Sequence, residues 1–459
     1  MSDLTISQPS QLDARRNLAI AVHAAAVAGV DPRAATSRAV AARLPAGASP
    51  IWIIAIGKAS HAMADAAVTT LRERHAEPAG GIIVAPVDGP PPHARLTVAV
   101  GDHPVPNAGS RAAADAVGEL VARIRGEGTT FVLLSGGATS LVAAPAEGVA
   151  ERDLTWMFDA LLTSGADITV MNAIRKRFTR WGAGRLARVL APARTHCLIV
   201  SDVVGDDIPS IGSGPCAPDP RSAEDVLALI ERVGLEPYVP RALRDLLREP
   251  PSRDDPPARD DPLFESVECA VILGNGDALD AAASSARAMG IAPVKVVADP
   301  LLDDATFTAQ RLVDELIRFR EASLPDADAT ATSPFGCMIW GGETTVRLGA
   351  GEPQRGGRCQ ELALAAADAL RSEGERGEGI TLLAAGTDGR DGNSDAAGAL
   401  VDATTWDAIL NTGRDPADDL AEHRSFAALD AVGALLRTGL SGTNVGDVVV
   451  GIVEPRRRA

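Results

Sequence analysis

Three times along this chain an apolar run ends in a glycine loop and passes directly into a helix-forming segment: IWIIAIGKASHAMADAA from Ile51, FVLLSGGATSL from Phe131, and CAVILGNGDALDAAASSARAMG from Cys269. A fourth run, HCLIVSDVVGDD, ends in Asp202, Asp206 and Asp207. Strand, loop and helix in alternation predict doubly wound α/β sheets that bind ligands at the carboxyl ends of their strands. Two helices precede the pattern, the second opened by Asp31-Pro32 as cap and first-turn proline. With 459 residues, more than one domain is expected. The stretch 248–262, REPPSRDDPPARDDP, has no apolar period and reads as a linker, giving domains 1–248 and 266–459. A second polar stretch covers 323–334.

The segment from Gly341 to Asp402 carries the most chemistry. CMIW reads as a buried strand ending at Glu343, and QELALAAADAL as a helix opening just after Arg355-Gly356-Gly357-Arg358. Free N–H groups and the positive dipole end at that helix start favour an anion, and two arginines add charge. TLLAAG is a further buried strand, followed by Asp388, Asp391 and Asp395, whose spacing suits a hard cation such as magnesium. A solvated turn is the competing reading of that acidic loop.

Other clusters point the same way. Lysine occurs only at Lys58, Lys176 and Lys295, and Lys58 opens a helix directly after a strand, where an ammonium can reach a phosphate, with a surface lysine as the competing reading. This is not a Walker A loop, because no glycine stands five residues before the Gly57-Lys58 pair. Residues 172–187 gather Arg175, Lys176, Arg177, Arg180 and Arg185, which suits a small carboxylate or phosphate; a solvated helix face is the alternative for Arg177 and Arg180. After Asp202 and Asp207 comes Gly212-Ser213-Gly214-Pro215, a loop with exposed amides. Acids at a strand end can hold magnesium or take a hydroxyl proton, with capping as the bland alternative.

Several patterns fail. Asp326 to Thr330 has the D-x-D-x-T string of dehalogenase-like phosphatases but follows a polar stretch instead of a strand, and Asp388 to Asp395 lacks the alternate spacing of a calcium loop. Gly274-Asn275-Gly276 continues without the third glycine of a nicotinamide fingerprint. A net charge of −17 and 3% aromatic residues argue against nucleic acid. Five scattered cysteines without a C-x-x-C pair fit a reducing, cytoplasmic setting. The N-terminus has no signal-peptide pattern, and no run approaches the roughly 20 apolar residues of a membrane span.

Taken in order, the blocks resemble the type 2 glycerate kinases, the family with a C-terminal MOFRL domain. They are GKA, GDHPVPNAG, LLSGGATSL with PAEGV, NAIRK, GRLA, SDVVGDD with GSGP and PDP, GGETTV, RGGR with QELALA, GTDGRDG with DAAGA, and SGTNVGD, spanning about residues 54 to 450. The resemblance implies transfer of the γ-phosphoryl of ATP, with magnesium, to the 2-hydroxyl of D-glycerate. It implies a cleft between an N-terminal Rossmann-like domain and a smaller C-terminal α/β domain, with the MOFRL region at about 335–455. It implies catalytic roles for Lys58, Asp202, Arg358 and Asp388, with Asp202 or Asp388 orienting the attacking hydroxyl. Ser135, Gly136, Gly137, Asn172, Arg175, Lys176, Ser213 and Gly214 would bind substrate or nucleotide from one wall, and Asn275, Glu343, Gly356, Gly357 and Asn444 from the other. Asp207, Asp388 and Asp395 would hold the metal. The expected partners are ATP and glycerate, without nucleic acid or membrane, in a homodimer.

Five positions depart from the family pattern: Ala138-Thr139 for Gly-Ser, Arg177 for His, Cys359 for Asn and Gly446 for Asn. They sit in loops expected to border the ligand, so a related hydroxy or sugar acid is an alternative acceptor. The rival readings are a hydroxypyruvate reductase and a non-enzymatic sugar-acid-binding module.

Overall fold

The computed structural model describes residues 11–456 apart from 48, 104, 167, 251, 253, 325–332 and 348–353. The D-x-D-x-T string, most of the second polar stretch and Pro104 of GDHPVPNAG therefore lie outside the described residues. The chain forms two compact α/β units, one of residues 32–273 and one of residues 1–31 with 274–459.

In the unit of residues 32–273, six strands form one parallel sheet: β1 (Ile51–Ile56), β2 (Gly80–Ala85), β3 (Leu96–Val100), β4 (Thr129–Leu134), β5 (Arg194–Val200) and β6 (Val267–Leu273). Their order is β3-β2-β1-β4-β5-β6, the Rossmann order, with the direction of winding reversing between β1 and β4. β1, β2 and β4 are apolar and almost wholly buried, as central parallel strands covered on both faces must be. Helices start where side chains can cap them: Asn107 and Ser110 close a capping box before Ala108–Ile124, and Ser222 and Asp225 do so before Ala223–Arg232.

In the other unit, the strands are β7 (Val294–Val296), β8 (Gly336–Gly342), β9 (Ile380–Gly386), β10 (Gly398–Asp402), β11 (Leu435–Leu436) and β12 (Asp447–Val453). Their order is β11-β10-β9-β12-β8-β7; β7 and β8 run parallel and every other pair is antiparallel. Met338, Trp340, Leu382 and Ala384 pack into a core shared with helices Ala305–Ser323 and Arg358–Ser372. The alternate residues Ile339, Leu383 and Ala385 are equally buried, because helices Gln11–Gly29 and Asn275–Ala288 also pack on this sheet.

These units differ from the division read at 248–262. β6 pairs with β5 and completes the parallel sheet, so the proline-rich stretch lies within the unit of residues 32–273. Asp254 there accepts a hydrogen bond from Arg185 through its backbone oxygen at 2.8 Å. Helix Gln11–Gly29 joins the C-terminal unit through buried Ala19, Val22 and Ala26. Arg15 pairs with Glu454 at 2.5 Å, and Arg16 with Asp402 at 2.7 Å. The expectation about membrane spans is corrected as well: Leu12–Ala41 is long and apolar enough to cross a membrane by length and composition. Its break at Asp31-Pro32, its charged side chains and the burial of its apolar face identify core helices.

Candidate functional site

The winding reversal between β1 and β4 is where an open α/β sheet gathers its ligands, and the glycine loops found in the sequence sit there. Beyond β1 comes Gly57, with φ +130°, where a Cβ would lie 2.2 Å from Ser135 Oγ. Lys58 N donates to Gly136 O at 2.9 Å and Ala59 N donates to Ser135 Oγ at 3.0 Å, so the two loops are bonded together. Gly136 is required by contact: a Cβ there would be 1.9 Å from Asp202 Oδ2, beyond the end of β5. Gly137, with φ +84°, is flanked by His103 Cδ2 and Lys58 Cγ at 2.9 and 3.5 Å from the point a Cβ would occupy. Lys58, Ser135, Gly136, Gly137 and Asp202 are thus brought together as expected. His103, from the GDHPVPNAG segment, joins them.

The Ser213 loop belongs beside this cluster. Gly212, Ser213 and Gly214 all have positive φ (56°, 69° and 59°), and the Ser213 and Thr139 hydroxyls are 3.0 Å apart. Thr139, one of the departures, therefore links the Ser213 loop to the loop after β4. Below it is a small recess lined mainly by apolar side chains, including Ile56, Leu134 and Val142. Asp207, farther along, is exposed and accepts a hydrogen bond from the Ser210 hydroxyl.

The basic segment 172–187 behaves differently from the expectation. Lys176 is 2% exposed, its ammonium 2.9 Å from Asp219 and 3.4 Å from Pro209 O, so it braces the loop that follows β5 from inside. Arg175 is buried against helix Glu151–Thr163, donating to Phe158 O at 2.9 Å with its guanidinium 4.8 Å above the Phe158 ring. Burial lowers its pKa. Arg177 is also buried, and Arg185 donates to backbone oxygens of residues 177, 179 and 182. Asn172 lies half-buried on helix Ile168–Arg175. These charges are spent inside the fold because the segment packs under the loops instead of over them.

In the C-terminal unit the expected anion seat is already taken. The helix Arg358–Ser372 opens at Gly357, and its amides are capped by Asp391: Oδ1 accepts from Cys359 N at 3.2 Å, while Oδ2 accepts from Gln360 N at 2.8 Å and Gln360 Nε2 at 2.9 Å. The glycines serve that packing. A Cβ on Gly357 would be 2.3 Å from Asp391 Cγ, and one on Gly356 would be 2.7 Å from Ser425 Oγ. Asp391 is 3% exposed, and burial followed by the nearby Asp447 charge pushes its pKa from 3.8 to about 6.

The three acids of this loop therefore diverge. Asp395 pairs with Arg355 at 2.6 Å and Arg437 at 3.4 Å, and Asp388 Oδ1 accepts from Arg390 N at 2.9 Å. Among the described residues no group of three His, Cys, Asp or Glu side chains is arranged to hold a metal ion.

Arg358 is shared between two carboxylates. Its Nε and Nη2 donate to the two oxygens of Asp447 at 2.6 and 3.0 Å, and its Nη1 lies 2.6 Å from Glu343. Burial alone would lower its pKa; Asp447, then Glu343, more than reverse that and hold it up. Asn275 supports the arrangement from behind, donating to Val445 O at 2.8 Å and Asp447 O at 3.1 Å. Asn444 accepts from Gly446 N at 3.4 Å. Asp447 is the first residue of β12, directly after the SGTNVG turn, and nothing near it in sequence points to Arg358, 89 positions away.

Two other departures are accounted for by the structure. Gly446 has φ +85°, and among other residues asparagine accepts that conformation best. Cys359 is 2% exposed and faces Asp447 within the core, so it does not border a ligand.

Comparison with known proteins agrees with this architecture. Residues 18–248 match the family described as Domain of unknown function (DUF4147), and residues 336–447 match the MOFRL family. The D-glycerate 2-kinase of Thermotoga maritima is 34% identical over 446 residues, covering 95% of this chain and 98% of that protein. The chain belongs to the MOFRL-containing glycerate kinase family. A crystal structure of glycerate kinase from Thermotoga maritima superposes with a TM-score of 0.79 at 31% identity, covering 96% of this chain and all of that one. A putative hydroxypyruvate reductase of Agrobacterium vitis is also 34% identical, over 92% of this chain and 91% of its own length. Within the family's MOFRL region, the match begins at β8 and ends at Asp447, so it contains Glu343, Arg358 and Asp391.

Proposed function

We propose that this chain is an ATP-dependent kinase that phosphorylates glycerate at its 2-hydroxyl, releasing 2-phosphoglycerate and ADP. The observation that carries the reading is the convergence of Lys58 and Asp202 on the glycine loop 135–137, at the strand-order switch of a Rossmann sheet. Phosphoryl transfer needs charge neutralisation and alignment more than covalent chemistry. Lys58, two residues before helix Ser60–Glu73, is the cation for phosphate oxygens in this reading. Asp202, beside the same loop, is the carboxylate that accepts and orients the glycerate hydroxyl. The amides of Ser135 to Gly137 and the Ser213 hydroxyl supply neutral donors, and Arg358 supplies the positive edge of the C-terminal unit.

Magnesium fits as a substrate-borne ion. It is commonly held by one or two carboxylates plus phosphate oxygens and water, so a three-carboxylate cage is not required. Asp388 is a suitable carboxylate: its Oδ1 and that of Asp447 are 3.3 and 3.4 Å from the point a Cβ on Gly386 would occupy, and Asp447 is engaged with Arg358. When bound, the ion would neutralise charge on the phosphates. The reading further takes the protein to be cytoplasmic and homodimeric.

The Agrobacterium vitis relatives favour one second reading, reduction of hydroxypyruvate. A single panel separates the two: ATP, magnesium and small hydroxy acids scored for ADP release, beside NADH and hydroxypyruvate scored for NADH oxidation. Glycerate-dependent ADP release is expected, and Lys58→Ala should lower it about ten- to a hundred-fold by removing a charge-assisted contact of about 1.5 to 3 kcal/mol. NADH oxidation without ADP release would overturn the kinase reading, and binding without turnover would favour a sensor.

A further inference from the structure

Arg358 stands between two unequal carboxylates. Asp447, with its side chain 7% exposed, holds the Nε/Nη2 fork in a bidentate pair; Glu343, 43% exposed, holds only Nη1. Breaking a buried bidentate pair is costly, whereas an exposed pair contributes little net stability. Asp447 is itself fixed on every side. Asn275 bonds its backbone oxygen, and strand β12 is hydrogen-bonded to β8 and β9. Arg358, by contrast, has a long flexible stem that would spread over several rotamers without a partner. Glu343 is therefore the weaker of the two carboxylate holds on Arg358.

We propose that Asp447 is a positioning residue that presents the Nη1 edge of Arg358 to an anionic substrate, and that Glu343 occupies that edge until the anion replaces it. The proposal rests on the kinase reading for the identity of the anion, the phosphate chain of the nucleotide or the carboxylate of glycerate. It also reverses the expected part of Glu343, from substrate ligand to competitor.

The test uses the full-length protein and the variants Asp447→Asn, Glu343→Gln, Arg358→Ala and the double variant Arg358→Ala/Asp447→Asn. Steady-state kcat and KM are measured, with calorimetric binding of magnesium-ADP as a readout independent of turnover. Arg358→Ala and Asp447→Asn are each expected to lower kcat/KM about ten- to a hundred-fold. Glu343→Gln should tighten ADP binding or lower the KM for glycerate by about two- to five-fold, since it removes a competing anion. Millimolar guanidinium should restore turnover to Arg358→Ala but not to the double variant, because the added cation needs the Asp447 carboxylate to be held in place. A purely structural Asp447 would not produce that difference.

Wild-type turnover in Asp447→Asn, equal rescue of the single and double variants, or weaker binding of both ligands in Glu343→Gln would overturn the proposal. Wild-type turnover in Arg358→Ala would overturn it as well, while leaving the kinase reading to the ADP-release panel. If Asp447→Asn does not fold, the ligand binding of Glu343→Gln and the kcat/KM of Arg358→Ala still decide.

Discussion

Replacing Asp391 by asparagine should change the pH dependence of the helix start it caps. In the folded protein the Asp391 pKa is raised from 3.8 to about 6 by burial and then by Asp447. A raised folded-state pKa means that the group's stabilising contribution is present below the unfolded value and is lost as pH rises through the folded one. Between pH 5 and pH 7.5 the wild type should therefore lose about 1.4 kcal/mol from this group, and the asparagine variant should lose none of it. The substitution has its own cost, because one carboxylate oxygen accepting from Gln360 N and Gln360 Nε2, or the other accepting from Cys359 N, becomes a donor facing donors. A lost cap and an unsatisfied buried group cost about 1 to 3 kcal/mol. The penalty of Asp391→Asn should thus be larger at pH 5 than at pH 7.5 by about 1.4 kcal/mol. Hydrogen exchange of peptides covering 358–372, corrected for intrinsic rates, reads this local free energy without assuming two-state unfolding of two units. An equal penalty at both pH values would refute Asp391 as the titrating cap.

His23 should act in the opposite sense. Its burial lowers its pKa to about 4, against opposing contributions from Ala385 O and Asp447, so stability held above pH 6.5 is lost as pH falls toward 4; His23→Gln should reduce acid lability, and an unchanged acid midpoint of unfolding would contradict this. Lys176→Ala should destabilise the unit of residues 32–273 by about 3 to 5 kcal/mol by leaving Asp219 buried and unpaired, while Lys176→Met with Asp219→Leu should recover most of it; equal melting temperatures for the two variants would contradict a buried pair. Gly57→Ala should cost about 2 kcal/mol or more in thermal unfolding, because the methyl lands on Ser135 at a positive φ. A wild-type melting curve would show that the close approach is absent.

The fold was largely legible because the central strands are continuous apolar runs that end in glycine or acidic loops, and parallel strands buried on both faces leave that mark in sequence. The assignment of Gln11–Gly29 and β6 to their units was not, since an amphipathic helix or an apolar strand does not encode which sheet it will join. In the site, Lys58, Gly136 and Asp202 each follow a strand, so their place at strand carboxyl ends was legible, and the sheet order then makes them neighbours. The RGGR loop misled for a local reason: its glycines look like a phosphate cradle until Asp391, more than thirty residues later, is seen filling it. Lys176 and Arg175 misled in the same way, their partners Asp219 and Phe158 being remote in sequence. Asp447 was overlooked because its value lies wholly in its contact with Arg358.

The central claim, phosphoryl transfer to the 2-hydroxyl, is tested most directly by proton-coupled phosphorus NMR of the product made from D-glycerate, ATP and magnesium. A phosphate ester signal split into a doublet by the single proton on C2, appearing with ADP, is the predicted result. A triplet from a CH2 neighbour, or no new ester signal while ATP persists, would contradict it.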